Sequence, residues 1–166
     1  MDYNLYQDKF QSALAKIPKK QFNNFGLKLS VEIVMNSVAI KVYKPEWSSN
    51  PQSPLDANSR IFFSIWVNDD SIERNKLWYN IHALKLRQLK GYKISSRDFA
   101  NQFRAEFMKY QKDWVNADIN YGPLTLMQGW HKLKIDNLQK DISELTRSFL
   151  NISPIIDTIL AKYKIR

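Results

Sequence analysis

The sequence contains no cysteine, only two histidines and only four glycines in 166 residues. Without cysteine the chain cannot form a disulfide, a thiolate metal site, an iron–sulfur cluster or a thiol nucleophile, and its composition fits a reducing compartment. His82 and His131 are too far apart for a paired metal motif, and four glycines leave no phosphate-cradling loop or dinucleotide fingerprint. We therefore expect no metal and no cofactor, and no motif supports an enzyme.

Long apolar runs are also missing. The longest, near Ile61–Val67, is far shorter than the roughly 20 residues that a membrane helix needs. The first residues, Met-Asp-Tyr-Asn-Leu-Tyr, lack the basic and then apolar pattern of a secretion signal. These features predict a cytoplasmic protein without membrane insertion. The length and the 44% hydrophobic content predict a single domain over residues 1–166.

Acidic residues are scarce in one part of the chain. The segment Arg74–Lys112, called the basic stretch below, has ten basic and two acidic residues. Residues 1–73 have eight of each sign, and residues 113–166 have seven basic and six acidic, so the basic stretch holds almost all of the net charge of +9. Because a local excess of positive charge attracts polyanions, we expect nucleic acid or another polyanion as the partner. A basic face that only keeps the protein soluble is the alternative.

The first third of the chain predicts a helix and then a hairpin. Apolar residues at helical spacing favour a helix over 2–17, and from Leu27 to Tyr43 the apolar period changes to two. A loop at Asn36-Ser37 would pair Met35 with Val38 and would place Glu32 opposite Lys41. We interpret these two charges as a cross-strand ion pair rather than as a nuclease-like metal site, because no second acid lies nearby.

Residues 44–59 contain three prolines among serine and asparagine and predict a long loop. Trp47 either anchors this loop to the body or contacts a ligand. In the segment 60–68, large apolar groups alternate on both sides, which predicts a central strand that is covered on both faces. The acids at Asp69 and Asp70 then mark the start of a helix, and capping explains them without a metal.

The basic stretch itself predicts two helices, over 72–90 and 95–114, with Gly91 ending the first and Ser95 starting the second. Each has an apolar face for the core and a basic face for solvent. The candidate nucleic-acid-binding residues are Lys76, Tyr79, Arg87, Lys90, Lys93, Arg97, Arg104 and Lys112. A helix-turn-helix fits poorly, because Arg87, Lys90 and Arg97 fall where small or apolar residues are expected. The pattern favours non-specific contact with phosphates.

The last third is less clear between residues 118 and 134, where a hairpin at Gln128-Gly129 and a short helix starting at Pro123 both fit. Two further helices follow, the second restarting at Ser153-Pro154 and both lying within 135–165. The expected fold is α+β: an N-terminal helix, a three-stranded mostly antiparallel sheet, and about four helices packed on it.

Two other functions remain open at this level. One is a protein-interaction or homo-oligomerisation module that uses the C-terminal helices and the 44–59 loop. The other is a small enzyme or ligand-binding protein with a cleft near Trp47, Tyr121 or His131.

Overall fold

The computed structural model describes residues 1–165, and Arg166, the last residue of the expected domain, lies outside them. The described residues form five α-helices: α1 (Tyr3–Lys16), α2 (Lys19–Asn24), α3 (Asp69–Glu73), α4 (Ser96–Phe107) and α5 (Leu138–Lys162). They also form five strands: β1 (Lys28–Val34), β2 (Ser37–Ser48), β3 (Arg60–Val67), β4 (Lys76–Leu84) and β5 (Thr125–Lys132). The α+β class and the single domain are confirmed. None of the described helices is long and apolar enough to cross a membrane.

The strands form one antiparallel meander in the order β1-β2-β3-β4-β5. Its core face carries the alternating apolar residues of each strand, and α1, α4 and α5 pack over that face. At the centre, the ring of Phe149 from α5 stacks on Phe63 of β3 at 4.6 Å with an interplanar angle of 5°. The layers therefore meet through large side chains that are fully removed from water.

The predicted three-stranded sheet is wrong: the sheet has five strands, because the middle of the predicted helix 72–90 is strand β4 and the segment 118–134 contains strand β5. A short helix does begin at Asp69, where the Asn68 side chain accepts a hydrogen bond from the Ser71 amide, but it ends at Glu73. Leu77 and Ile81 then face the core, and Trp78 faces the other side. Bulky groups on both faces of β4 hid the period of two and also fitted a helical wheel.

The segment 118–134, for which the sequence allowed two structures, contains the fifth strand. Neither the hairpin at Gln128-Gly129 nor the helix from Pro123 forms. Gly129 lies in the middle of β5, opposite Tyr79. The Tyr79 ring covers this glycine, and its hydroxyl donates to the Val115 carbonyl. Because Gly129 has no side chain, the Tyr79 ring has space to lie over β5.

The two predicted C-terminal helices are one continuous helix, α5, with Pro154 inside it. Proline lacks the amide hydrogen that would bond to the carbonyl of Leu150. The hydroxyl of buried Ser153 donates to that carbonyl instead, at 3.1 Å. The Ser-Pro pair that predicted a new start therefore maintains the helix.

The β1–β2 hairpin has its turn at Met35-Asn36, one residue earlier than predicted, so Ile33 pairs with Val38. Both turn residues have positive φ, as a tight two-residue turn requires. Glu32 consequently faces Ala39, and it reaches Lys41 diagonally, with 3.2 Å between the carboxylate and the ammonium. The predicted ion pair is confirmed in a different register.

The predicted loop 44–59 begins later, because β2 continues to Ser48. Trp47 is 1% exposed, and its indole N–H donates to Asp157 of α5 at 2.8 Å. The anchoring role is thus the one that the structure shows for Trp47. Helix α4 begins at Ser96 with Ser95 as its cap, as predicted, but it ends at Phe107 rather than at Trp114.

Candidate functional site

The face of the sheet that points away from the helices is called the open face here. Cross-strand partners share a face and alternate residues change it, so strand register assigns its members. They are Lys28, Ser30, Glu32 and Val34 of β1, Ser37, Ala39, Lys41, Tyr43 and Ser48 of β2, Arg60, Phe62, Ser64 and Trp66 of β3, Lys76, Trp78, Asn80, His82 and Leu84 of β4, and Thr125, Gln128, Trp130 and Lys132 of β5.

Three tryptophans, Trp66, Trp78 and Trp130, stand side by side on neighbouring strands and are called the tryptophan row. Trp66 and Trp78 stack with ring centroids 5.9 Å apart. The ammonium of Lys76 lies 5.3 Å from the Trp78 ring and 4.5 Å from the Trp130 ring. All three tryptophans remain partly exposed. The row is thus an aromatic surface in contact with water and with a cation.

A second row, two residues along each strand from the tryptophan row, crosses the whole sheet. This polar row consists of Ser30, Lys41, Ser64, Asn80 and Gln128, one residue from each strand. The Asn80 amide donates to the Gln128 carbonyl oxygen at 3.2 Å. Another two residues along, Tyr43, Phe62 and His82 form an aromatic wall on the far side. The polar row is therefore the floor of a trough between two aromatic walls, about 13 Å apart along the strands.

The floor of the trough is unusually well shielded for the outer side of a sheet. Lys41 is 7% exposed, Ser64 4% and Asn80 3%. The taller aromatic groups on either side provide this shielding. The Lys41 ammonium lies 4.8 Å above the Phe62 ring and is paired with Glu32. Polar groups are thus held in surroundings where an unmade hydrogen bond is costly.

Several of these groups do lack a partner. Among the described residues, four buried side-chain polar atoms make no hydrogen bond: Ser30 Oγ, Ser59 Oγ, Arg60 Nε and Asn80 Oδ1. Three of the four belong to the open face, and two belong to the polar row. Buried polar atoms in native proteins are nearly always paired, and exceptions often mark functional positions. Their clustering identifies the trough as the candidate site.

No helix covers this site within the described part of the chain. The cavity over it is lined only by strand residues, by Met35 of the β1–β2 turn and by Asn68. Within the regular register the strands contribute five basic residues to the open face and one acid, Glu32, and a second acid, Glu46, is exposed beyond the irregularity in β2, two residues before Ser48. Asp118 pairs with Gln128 at the outer edge of β5, and its carboxylate accepts from the Asn120 amide. The trough is therefore open to solvent and mainly cationic.

His82 is the titratable group in the wall of the trough. Burial lowers its pKa, and the nearby charges of Lys41 and Arg60 act in the same direction, while a hydrogen bond with the Leu124 carbonyl opposes them. The Thr125 hydroxyl also lies within hydrogen-bond distance of Nδ1, at 3.3 Å. With a pKa below the ordinary value of about 6.5, His82 is neutral at pH 7.

We expect the lowered pKa of His82 to make the protein sensitive to acid. Neutral imidazole is favoured in the folded state, so this stability is complete above about pH 6.5 and is lost as the pH falls through the lowered folded-state pKa. The measurement is the urea midpoint between about pH 7.5 and 4.5. His82→Gln should show a smaller acid-dependent loss than the wild type. Equal losses in the two proteins would contradict this assignment.

The residues predicted from the sequence to bind nucleic acid are dispersed. Lys76 lies on the open face, beside the tryptophan row. Tyr79 is fully buried in the core. The guanidinium of Arg104 donates to the carbonyls of Tyr121, Gly122, Thr125 and Leu126 at 2.8–3.1 Å, and burial lowers its pKa. Arg104 therefore fastens the segment before β5 to helix α4.

The other candidate cations lie around the connection from β4 to α4. Lys85, Arg87, Lys90, Lys93 and Arg97 are all exposed there and are called the basic turn. Two adjoining shallow cavities are lined by members of this group, together with Asp98. Lys112 is exposed in the separate turn Gln111–Asp113. The basic turn begins directly after Leu84, the last open-face residue of β4, so the two surfaces adjoin.

The three residues proposed from the sequence to line a cleft lie on different elements. Trp47 is buried at the end of β2, and His131 of β5 packs edge-on against Tyr79 with centroids 5.9 Å apart. Tyr121 is 38% exposed in the segment before β5, and its carbonyl accepts from Arg104. Each of the three therefore has a structural contact of its own.

Sequence reasoning missed the open face, because the segment 60–68 was expected to be covered on both sides. The central position of β3 is confirmed, and Phe62 and Ser64 on its outer side are also buried, but no described helix covers that side, which forms part of the trough. A signal was present in two segments with alternating character, Lys76-Leu-Trp-Tyr-Asn and Gln128-Gly-Trp-His-Lys. In both, tryptophan alternates with lysine and an amide.

Comparison with known proteins adds no information on function: no family model matches the chain, and no curated protein or solved structure matches it. The open face is therefore the basis for assigning a function.

Proposed function

We propose that this protein binds single-stranded nucleic acid across the open face, with bases against the tryptophan row and phosphates beside the surrounding cations. The observation that carries the proposal is the contact of Lys76 with both Trp78 and Trp130 on an uncovered sheet. Proteins that bind single strands combine aromatic side chains, on which bases stack, with a positive surface that follows the backbone. The open face has both features on one surface.

The distribution of charge supports a polyanion over a second copy of the chain. Lys76 and Lys132 are cross-strand neighbours at one end of the face, and Arg60 lies near the other end. Pairing two such faces would bring like charges together, which opposes association. A phosphate backbone would instead neutralise them.

The basic turn extends this surface. A strand that follows β4 from Lys76 would pass Trp78, Asn80 and His82 and then reach the basic turn after Leu84. In this proposal the basic stretch of the sequence contacts nucleic acid, as expected, but through β4 and the basic turn rather than through two helix faces. The residues of the basic turn would contact phosphates, and such contacts do not depend on the base sequence.

The proposal predicts salt-dependent binding of single strands. The open face has four basic residues outside the Lys41–Glu32 ion pair, which corresponds to a slope of log K against log salt of about −3, and the five cations of the basic turn extend it to about −6. The measurement is fluorescence anisotropy of labelled single-stranded DNA and RNA across a salt series. Duplexes of equal length serve as the comparison and should bind more weakly, because their bases are already stacked. Absence of binding at low salt, or no preference for single strands, would refute the proposal.

A further inference from the structure

The polar row has an unusual combination of burial and unmade hydrogen bonds. Asn80 is 3% exposed, its amide nitrogen is bonded to Gln128, and its Oδ1 has no partner. Ser30 Oγ, in the same row, also lacks one. If the lysines around the trough contact only the phosphates of a nucleic acid, Asn80 Oδ1 and Ser30 Oγ still have no hydrogen-bond partner. Binding of the phosphate backbone alone therefore does not explain why these atoms are unpaired.

The chemistry of these atoms restricts what can satisfy them. Asn80 Oδ1 only accepts hydrogen bonds, so the group that satisfies it must be a donor. A phosphate oxygen accepts but has no hydrogen to give to Asn80, so a phosphate at the floor would leave Oδ1 unpaired against a negative charge. The edge of an unpaired nucleobase carries N–H donors on an aromatic ring that fits between aromatic walls.

We propose that the polar row is a base-reading pocket: one or more unpaired bases of the bound strand turn their edges toward Asn80, and the phosphates stay at the cationic margins. This inference rests on the proposed function and assigns the orientation of the strand. It also means that binding depends on base identity, because a site whose buried polar groups must be matched rejects ligands that leave them unpaired.

The first experiment removes bases while keeping phosphates. Anisotropy titrations compare oligo-dT, oligo-dA and oligo-dC with an abasic oligonucleotide of the same length. The expected result is a spread of about tenfold or more among the bases and a still weaker abasic strand. Equal affinity for the three base sequences, together with a weaker abasic strand, would overturn the base-reading pocket and leave stacking on the tryptophan row, and so the proposed function, intact. Equal affinity for the abasic strand would overturn both.

The second experiment changes three of the residues with unpartnered atoms and uses the two serines as a matched pair. Ser30→Ala and Ser59→Ala make the same chemical change to a buried, unpartnered hydroxyl, but only Ser30 belongs to the polar row. Ser30→Ala should weaken binding of the preferred oligonucleotide about two- to tenfold, and Ser59→Ala should leave it unchanged. Asn80→Ala should remove most of the base preference, and because it also loses the hydrogen bond to Gln128, its binding is measured well below its own thermal midpoint. Equal effects of the two serine changes would count against the pocket.

A third measurement separates this inference from the proposed function. The side-chain amide signals of Asn80 and Gln128 are followed by ¹⁵N NMR during titration with nucleoside monophosphates. Shifts of these signals support the pocket even if no oligonucleotide binds, in which case only the proposed function fails. If heparin shifts them and nucleotides do not, the pocket recognises sugar hydroxyls and base reading is refuted.

Discussion

Replacing Trp78 and Trp130 together by alanine is expected to weaken binding of single-stranded DNA about a hundredfold. Stacking of a base on an aromatic side chain contributes about 1–3 kcal/mol, so two tryptophans at the lower part of that range, about 1.4 kcal/mol each, correspond to this loss. Both rings are partly exposed and contact Lys76 on the solvent side of the sheet. Anisotropy titration at low salt measures the change.

The matched control replaces the same two residues by phenylalanine. Phenylalanine keeps an aromatic face and a strand-forming side chain, so most of the affinity should remain. A second control neutralises Arg87 and Lys93 of the basic turn. These changes should lower affinity evenly for all sequences and reduce the salt slope. If the alanine pair binds like the wild type while the basic-turn variant does not bind, the tryptophan row is not the contact surface.

Substituting Gly129 by alanine is expected to destabilise the fold by about 3 kcal/mol, the upper part of the usual cost of overpacking. A Cβ at this position would lie 2.6 Å from Cε2 of Tyr79 and closer still to Cζ and the hydroxyl oxygen. The Tyr79 ring is fully buried and its hydroxyl is bonded to the Val115 carbonyl, so moving the ring would break this bond and the surrounding packing. Urea unfolding followed by circular dichroism measures the loss.

Gly122 provides the control for this prediction, since an added Cβ there meets no atom within 4 Å. Gly122→Ala should change the unfolding free energy by less than about 0.5 kcal/mol. Shortening the tyrosine, as in Tyr79→Leu, should make Gly129→Ala less damaging in a double-mutant cycle. Equal stability of the two glycine variants would show that the Tyr79 ring does not depend on Gly129.

The sequence predicted those elements whose two faces differ clearly in polarity. Helix α1, the β1–β2 hairpin and the start of α4 all have one apolar and one polar side, and a capping residue or a turn marks their ends. The Glu32–Lys41 pair also followed from local patterns, whereas the anchor at Trp47 was one of two roles that the sequence allowed. The turn at Met35-Asn36 was misplaced by one residue, because either position satisfies the alternation.

Strands β4 and β5 could not be assigned in the same way. The segment around Trp78 has bulky groups on both faces and fits a helix wheel as well as a strand. Its strand form depends on pairing with β5, about 48 positions later, as in the pair Asn80 and Gln128. Tertiary pairing overrides local propensity in such cases. The trough depends on the pairing of β4 with β3 and with β5, so the candidate site could not be recognised before those pairings were known.

Arg104 has a consequence for how the charge of the protein is understood. In the charge count it is equal to Lys93 or Arg97, but its Nε and Nη2 already donate to four main-chain carbonyls. An approaching molecule responds to the field at the surface and to the donors that remain free, not to the formal total. Arg104 still adds to the long-range attraction, while most of its five N–H donors are used within the protein. Long-range attraction and direct contact are therefore provided by partly different cations. The cations that keep free donors determine how long a ligand stays bound.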